Sequence, residues 1–283
     1  MIKNIRMAYG LLSPSLIWLL LFLIVPLGLI AVISFTTNLG FGGILYEFST
    51  QAYKLAFSSL YAGVIGKSLL WAGIGTIIAL FIAYPFAYFI AHAGKWKNIL
   101  LVLVMIPSWV NFLILMYAWI ILLNSDGVVN NFLMSMGFLA EPLKMMYTPY
   151  AVIIGVTYGF LPFMILPIYS SVEQLDHSLL EAAEDLGAKP MKAFFKVTLP
   201  LTAPGIFAGI LLTFIPALSV FTITDILTGG KLLMIGNIIR DAFIVEMNWQ
   251  LGAAISLLLT ILVLISIFLF TKFTSKEDQN LLF

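Results

Sequence analysis

One carboxylate stands alone inside a long apolar stretch of this sequence, at Asp225. An acidic side chain within a membrane segment is costly to bury and is therefore a functional candidate, most simply as a partner for a cation. About 21 residues separate it from Pro204, which is roughly 31 Å of helix and places Asp225 near the far end of a span. Two interpretations stay open: a contact for a passing cation, or a helix cap or fixed ion-pair partner at the membrane interface.

Aromatic side chains follow two neighbouring apolar stretches, and ring faces attract cations. Trp109 begins a run of large side chains at helical spacing that continues to Trp119. Tyr158 and Tyr169 are eleven residues apart, which puts them on one helical face. We expect Trp109 and Tyr158 to line a path through the membrane. The alternative for these aromatic residues is packing inside the protein or an interfacial belt.

Several other kinds of chemistry are excluded by spacing. Gly66 precedes a Lys-Ser pair as in a phosphate-binding loop, but Tyr61 stands where that motif requires glycine. The two histidines, His92 and His177, lie in separate loops, and the chain has no cysteine. We therefore predict no metal site, no cofactor and no catalytic residues, so the protein is not expected to be an enzyme.

A polar, helix-forming segment interrupts the apolar sequence at residues 181–200. Ser178 followed by Glu181 fits a capping box at the start of a helix. Gly187 is predicted to end that helix and Pro190 to begin the next. The pattern predicts a short helical hairpin outside the membrane, ended by the Leu-Pro pair at 199–200.

The hairpin carries acidic residues first and basic residues afterwards, with apolar side chains among them. Its charged and aromatic residues are Glu181, Glu184, Asp185, Lys189, Lys192, Phe194, Phe195 and Lys196. Exposed apolar groups on so short a segment usually mark a contact. We therefore expect the hairpin to dock onto a partner; a solvated loop without one is the alternative.

The elements that position these residues are membrane helices. The composition is 62% hydrophobic and 10% charged, far from that of a soluble domain. A helix needs roughly 20 apolar residues to cross a bilayer, and backbone groups in lipid must be paired internally. We predict an all-α protein with six transmembrane helices near 12–34, 65–91, 98–122, 150–171, 203–226 and 250–271.

The orientation follows from the distribution of positive charge. With six spans both termini lie on one side, and that side carries nine of the 14 Lys and Arg residues. The nine are Lys3, Arg6, Lys95, Lys97, Lys189, Lys192, Lys196, Lys272 and Lys276. The positive-inside rule then places both termini and the hairpin in the cytoplasm. The first apolar run is too long for a signal peptide and is predicted to be an uncleaved span.

The hairpin resembles the EAA loop of ABC importer permeases. The family pattern is Glu-Ala-Ala, three residues, Gly, nine residues, Ile, one residue and Leu-Pro. Its positions here are Glu181, Ala182, Ala183, Gly187, Leu199 and Pro200, with Val197 in place of the isoleucine. In that family the loop is the coupling helix, which sits in a cleft of a cytoplasmic ATPase.

Elsewhere in the chain the resemblance is to a smaller group of permeases within that family. Four segments are similar to the B-type permease subunits of spermidine/putrescine importers: residues 83–91, 148–188, 200–209 and 232–243. It implies the type I importer fold (MetI-like) in a single transmembrane permease domain, residues 1–283. The first span and outer loop occupy 1–62, and the permease core occupies 63–272 with its coupling loop at 172–200.

The resemblance also implies partners and a location. These are a cytoplasmic ABC ATPase dimer, a second related permease subunit, an extracytoplasmic polyamine-binding protein and the bilayer of a bacterial inner membrane, with no nucleic acid. A polyamine path needs carboxylates and aromatic faces that bind weakly and in series, which fits Asp225, Trp109 and Tyr158.

Other functions stay open. A permease of the same class for another cargo, such as iron or thiamine, shares the coupling loop. An ion-coupled secondary transporter usually carries several carboxylates at the middle of the membrane, and only Asp225, off centre, is available here.

Overall fold

The computed structural model describes the backbone of residues 2–281 and the side chains of residues 12–176, 178–268 and 272. Lys3, Arg6 and Lys276 lie outside the described side chains. The chain is mostly helical, as predicted. The helices are α1 Ile2–Ser34, α2 Gln51–Ala56, α3 Ser59–Ala91, α4 Lys97–Trp109, α5 Phe112–Leu123, α6 Val128–Ser135, α7 Pro149–Glu173, α8 His177–Asp185, α9 Pro190–Ala193, α10 Leu199–Leu201, α11 Ala203–Ser219, α12 Thr222–Thr228, α13 Ile235–Ile244 and α14 Trp249–Leu281. A π-helical turn, Phe194–Thr198, separates α9 from α10.

Five helical stretches in the described part are long and apolar enough to cross a membrane: Leu12–Ser34, Ser59–Ala91, Phe112–Ser135, Pro149–Glu173 and Trp249–Phe268. A sixth span results if Pro190–Leu201 and Ala203–Ser219, which are bent by 61°, are taken together. Four predicted spans, those at 12–34, 65–91, 150–171 and 250–271, each coincide with one helix. The prediction of an all-α, multi-span membrane protein is confirmed.

The third span was predicted as one helix over 98–122, and this is wrong. Helix α4 ends at Trp109, and Val110 adopts an extended backbone. The side chain of Asn111 then caps α5 by accepting a hydrogen bond from the Leu113 N–H at 2.9 Å. Pro107 weakens the last turn of α4, because proline cannot donate to the helix. The apolar stretch that is long enough to span begins instead at Phe112 and continues into α6.

The fifth span, predicted over 203–226, is also interrupted. Helix α11 ends at Ser219, Val220 is extended, and α12 begins at Thr222. Asp225 therefore lies in the first turn of a separate short helix. The distance estimated along one continuous helix from Pro204 does not apply.

Packing divides the chain into two compact units. The first comprises residues 1–63 and 238–265. It contains α1, α2 and a small antiparallel pair of strands, β1 Thr37–Asn38 and β2 Ile44–Leu45, which the sequence analysis did not predict. Gln250 donates to the carbonyls of Thr37 and Gly43, both at 3.3 Å, and so ties the strands to α14.

The second unit, residues 64–237 and 266–283, is built around α7. Helix α11 lies closely along α7 because Gly205 and Gly209 face it. A Cβ at Gly205 would come within 2.5 Å of the Pro167 carbonyl, and one at Gly209 within 2.8 Å of the Met164 sulfur. The glycine pair therefore serves helix packing. The core between α3 and α7 consists of Ala79, Ala83, Tyr84, Ala87, Ile90, Met164, Ile165, Ile168 and Val172.

Candidate functional site

The hairpin, residues 176–201, begins two residues earlier than the sequence predicted. Asp176, not Ser178, is the N-cap of α8, and its side chain accepts a hydrogen bond from the Ser178 N–H at 2.9 Å. The prediction of a Ser178–Glu181 capping box is wrong. Asp176 and Ser178 are both of a residue type that caps helices, but the extended backbone that a cap requires is at Asp176.

Gly187 ends α8 as predicted. Its backbone is left-handed, with φ of +76°, a conformation that glycine adopts at little cost. The Ala188 N–H donates to the Ala183 carbonyl at 3.0 Å, and the Gly187 N–H donates to the Glu184 carbonyl at 2.8 Å. These two bonds form a Schellman motif, which satisfies the last carbonyls of the helix. Pro190 then opens α9, also as predicted.

The second arm of the hairpin does not end at Leu199-Pro200. The helix continues through the π-helical turn and α10, and the break comes at Thr202, before α11. The Thr202 hydroxyl donates to the Thr198 carbonyl at 2.8 Å. Its oxygen is 2.9 Å from the Tyr84 hydroxyl of α3. Because the Thr202 proton is already donated, Tyr84 is the donor, and this buried bond fixes the break to the membrane core.

Phe194 joins the hairpin to α3. Its ring makes edge contacts with Tyr84 and Tyr88, at centroid distances of 5.6 and 6.3 Å. Ala193 beside it is buried. Packed aromatic rings therefore connect the hairpin to α3.

The outer surface of the hairpin is exposed. Leu186, Met191 and Phe195 have 89%, 69% and 56% of their surface accessible. Glu181 and Ala182 are exposed beside them, Ala183 and Leu199 are half-buried, and Pro200 is exposed. Apolar side chains ringed by charges are typical of a docking surface.

An ion pair joins the ends of two helices, one of which ends just before the hairpin in the sequence. The Lys97 ammonium at the start of α4 donates to the Glu173 carboxylate at the end of α7. This hydrogen bond raises the pKa of Lys97 above its ordinary value. Both side chains are about one-third exposed, so the pair orients the helix ends more than it stabilises them.

The second candidate region is the broken fifth span, residues 219–237. Asp225 on α12 accepts a hydrogen bond from the Asn237 amide nitrogen at 2.9 Å. Asn237, like Thr224 beside Asp225, is fully buried. Helix α12 packs against α5 and against α7, which carries the path candidate Tyr158.

The two aromatic candidates have different surroundings. Tyr158 lines a small apolar cavity of about 130 Å³ with Pro107 and Pro162 among its walls. Its ring meets Trp119 edge-on at 5.1 Å. Trp109 is 70% exposed at the end of α4, and the break after it separates it from the face that continues to Trp119. The expected shared face is thus divided between two helices.

Sequence reasoning missed Asn237, Thr224 and Gly236. A Cβ at Gly236 would lie 1.9 Å from the Ser219 carbonyl oxygen, so residue 236 must be glycine for the chain to pack onto the end of α11. The only local signal was a polar residue at the edge of an apolar run. The contacts of Asn237 with Asp225 and Thr224, and of Gly236 with Ser219, join positions 12 or more apart in the sequence.

Comparison with known proteins identifies the family of this chain. The profile of the binding-protein-dependent transport system inner membrane component family matches residues 75–276. The chain belongs to this family. It is a membrane permease subunit of an ABC importer, and not an enzyme.

Two relatives and one solved structure extend the assignment. The permease is 44% identical over 90% of both chains to the spermidine/putrescine transport system permease protein PotB of Haemophilus influenzae. It is 42% identical to PotB of Escherichia coli K12, over 86% of this chain and 89% of that one. A bacterial ABC transporter that imports the polysaccharide alginate has the same fold, with a TM-score of 0.75 at 19% identity over 97% of this chain and 96% of that one. The predicted MetI-like importer fold is confirmed.

Proposed function

We propose that this permease subunit carries polyamines, spermidine and putrescine, into a bacterial cell. The observation that carries the proposal is the similarity to PotB along nine-tenths of both chains. Such similarity extends beyond the coupling loop that permeases for different cargoes share. It includes the regions of α7 and α12 from which the path residues come.

The hairpin serves as the docking element for a separate ATPase dimer. Its exposed apolar side chains and charged rim fit a cleft, and its Schellman turn makes it a compact unit. Phe194 and Thr202 connect it to α3, so closure of the ATPase pair moves the membrane helices. The coupling residues are Glu181, Ala182, Ala183, Gly187, Leu199 and Pro200. A second, related permease subunit completes the path, and an extracytoplasmic binding protein delivers the cargo.

Both termini and the hairpin lie in the cytoplasm, as the excess of positive charge indicates. A reporter that is active only outside the cytoplasm stays silent when fused after Phe283. The same reporter is active when inserted near Asp126. The reverse pattern contradicts both the orientation and the docking role of the hairpin.

Asp225, Trp109 and Tyr158 contact the cargo in series. Asp225 supplies negative charge, and the rings supply cation–π contacts worth about 0.5–2 kcal/mol each. Weak serial contacts suit a flexible polycation, because a single tight site would have to strip water from several ammonium groups at once.

The test is uptake of radiolabelled spermidine and putrescine by the complete complex reconstituted in vesicles. We expect ATP-dependent uptake of at least one polyamine by the wild-type complex. Asp225→Asn lowers uptake without lowering complex yield, and more so for the more highly charged cargo. Asp126→Asn, a carboxylate in a loop, leaves uptake unchanged. A complex that hydrolyses ATP but imports neither polyamine would refute the proposed cargo.

A further inference from the structure

A largely buried group of polar side chains links the broken fifth span to α3. We name it the Asn237 cluster; its members are Ser68, Thr224, Asp225 and Asn237. The side chains of Ser68, Thr224 and Asn237 are completely buried. Buried polar groups in an apolar setting are costly unless they are hydrogen-bonded, and each of these three has a partner within the unit.

The orientation of the Asn237 amide is fixed by a backbone group. Its Oδ1 atom accepts from the Met234 N–H at 2.9 Å. A backbone N–H can only donate, so the oxygen must face Met234. The Thr224 hydroxyl also lies 2.7 Å from this oxygen. The amide nitrogen is therefore the atom that faces the Asp225 Oδ1, at 2.9 Å.

The residues around Asn237 are held in place from three directions. Gly236 packs directly onto the Ser219 carbonyl at the end of α11. The Ile235 N–H donates to the Ser68 hydroxyl of α3 at 2.9 Å. Ser68 in turn donates to the Val64 carbonyl at 2.8 Å. The segment that carries Asn237 is thus held by α3 and α11, in addition to the hydrogen bonds that Asn237 makes with Thr224 and Asp225 of α12.

We propose that Asn237 is the positioning residue for the Asp225 carboxylate and directs it toward an ammonium group of the cargo. The inference rests on the proposed polyamine function. The amide is neutral, so it fixes the direction of one carboxylate oxygen without adding positive charge of its own. Because the segment around Asn237 is also held by α3 and α11, the carboxylate on α12 keeps one direction relative to those helices.

Asn237→Ser tests the role directly. A serine hydroxyl is able to accept from the Met234 N–H but is too short to reach Asp225. We expect the complex to assemble and the KM for spermidine uptake to rise at least about fivefold, the size expected for losing a hydrogen bond to a charged group. The maximal rate changes little, and the rise for putrescine is smaller. An unchanged KM in an assembled complex overturns the proposal.

The exchange variant Asp225→Asn with Asn237→Asp separates positioning from structure. The amide at position 225 now donates to the carboxylate at position 237, which still accepts from the Met234 N–H. We expect wild-type yield and melting temperature but uptake reduced at least about tenfold, because the charge is on the wrong side of the pair. Uptake at the wild-type level, or failure of this variant to assemble, shows that the pair is only structural.

Thr228→Val is the matched control, since it removes a buried hydroxyl from the same helix without touching Asp225. Its hydroxyl donates to the Thr224 carbonyl at 2.6 Å. This variant lowers the melting temperature and leaves both KM values unchanged. A rise in KM equal to that of Asn237→Ser overturns the positioning role. Wild-type vesicles in the same assay report on the cargo separately, because they import polyamine whether or not Asn237 positions Asp225.

Discussion

The hairpin and the broken fifth span both interrupt a helix, but their polar groups have opposite surroundings. The hairpin keeps Glu181 in solvent and closes its turn with main-chain hydrogen bonds between residues three to five apart. The broken span buries Thr224 and Asn237 completely. It takes a partner from as far away as Ser68, 167 residues before Ile235. The proposed docking surface is thus made by local geometry, whereas a buried polar site requires the packing of the whole unit.

This difference predicts how each region responds to substitution. The hairpin tolerates changes on its exposed surface and is sensitive where its backbone is unusual. The broken span is sensitive to any added volume, because its backbone segments touch each other directly. Four substitutions, from the largest expected effect to the smallest, test this contrast.

Gly236→Ala has the largest expected effect. The new Cβ would lie 1.9 Å from the Ser219 oxygen and 2.6 Å from its carbonyl carbon, and backbone atoms cannot rotate away. We expect a loss of about 3 kcal/mol or more and a melting temperature of the purified complex lower by roughly 10 °C. Gly230→Ala, in the loop between α12 and α13 at φ of +72° with open space around it, measures conformational strain alone, about 1–2 kcal/mol. Equal losses for the two variants would remove the clash as the cause.

Gly187→Val comes next, because a branched residue resists the left-handed backbone at φ of +76°. A Cβ there meets nothing within 4 Å, so the effect is on the turn and not on packing. We expect normal insertion, continued ATP hydrolysis and uptake reduced at least about tenfold, equivalent to 1.4 kcal/mol. Gly94→Val introduces the same kind of strain, at φ of +53°, in a different loop. It should transport normally; if both variants transport equally well, the hairpin is not a lever.

Asp176→Ala removes the cap of α8. Loss of an N-cap costs about 1 kcal/mol, which corresponds to roughly fivefold faster amide hydrogen exchange in the first turn of the helix. Ser178→Ala leaves exchange unchanged, since Ser178 contributes its N–H and not its hydroxyl to the cap. Hydrogen-exchange mass spectrometry of the hairpin peptide distinguishes the two. Faster exchange in the Ser178 variant alone would mean that Ser178, and not Asp176, caps the helix.

Lys97→Gln has the smallest expected effect. The pair with Glu173 is solvent-accessible, so the melting temperature shifts by less than about 2 °C. The folded pKa of Lys97 is raised, so its contribution is complete below the unfolded value of about 10.4 and is lost only as pH rises past the folded value. The shift is therefore the same at pH 7 and pH 9. A shift that disappears by pH 9 would mean that Lys97 loses its proton in the folded state.

The parts of the fold that follow from local chemistry were predictable. Gly187 and Pro190 act on their own backbone, and both were placed correctly. Asp176 was missed because two nearby residues have the right side chains for a cap, and only the backbone conformation decides between them.

The broken helices were not predictable from the sequence alone. A proline such as Pro107 or Pro216 is compatible both with a helix that kinks and with a helix that ends. The contacts that accompany the breaks come from distant residues. The Phe112 ring occupies the space beside Gly159, and Gly236 packs against Ser219 at the end of α11. Trp109 and Tyr158 as path residues stay predictions.

The π-helical turn at Phe194–Thr198 makes the length of this segment as important as its composition. Such a turn holds one residue more than an α-helical turn. Deleting a single residue there would let an ordinary α-helical turn form, and the preceding arm would keep nearly the same direction because either kind of turn completes one rotation. A single deletion in α9, which has no extra residue to lose, would instead rotate α8 and Leu186 by about 100° around the axis of the arm. A relative with a one-residue gap would therefore keep the direction of its exposed side chains only where the gap falls in the π-helical turn.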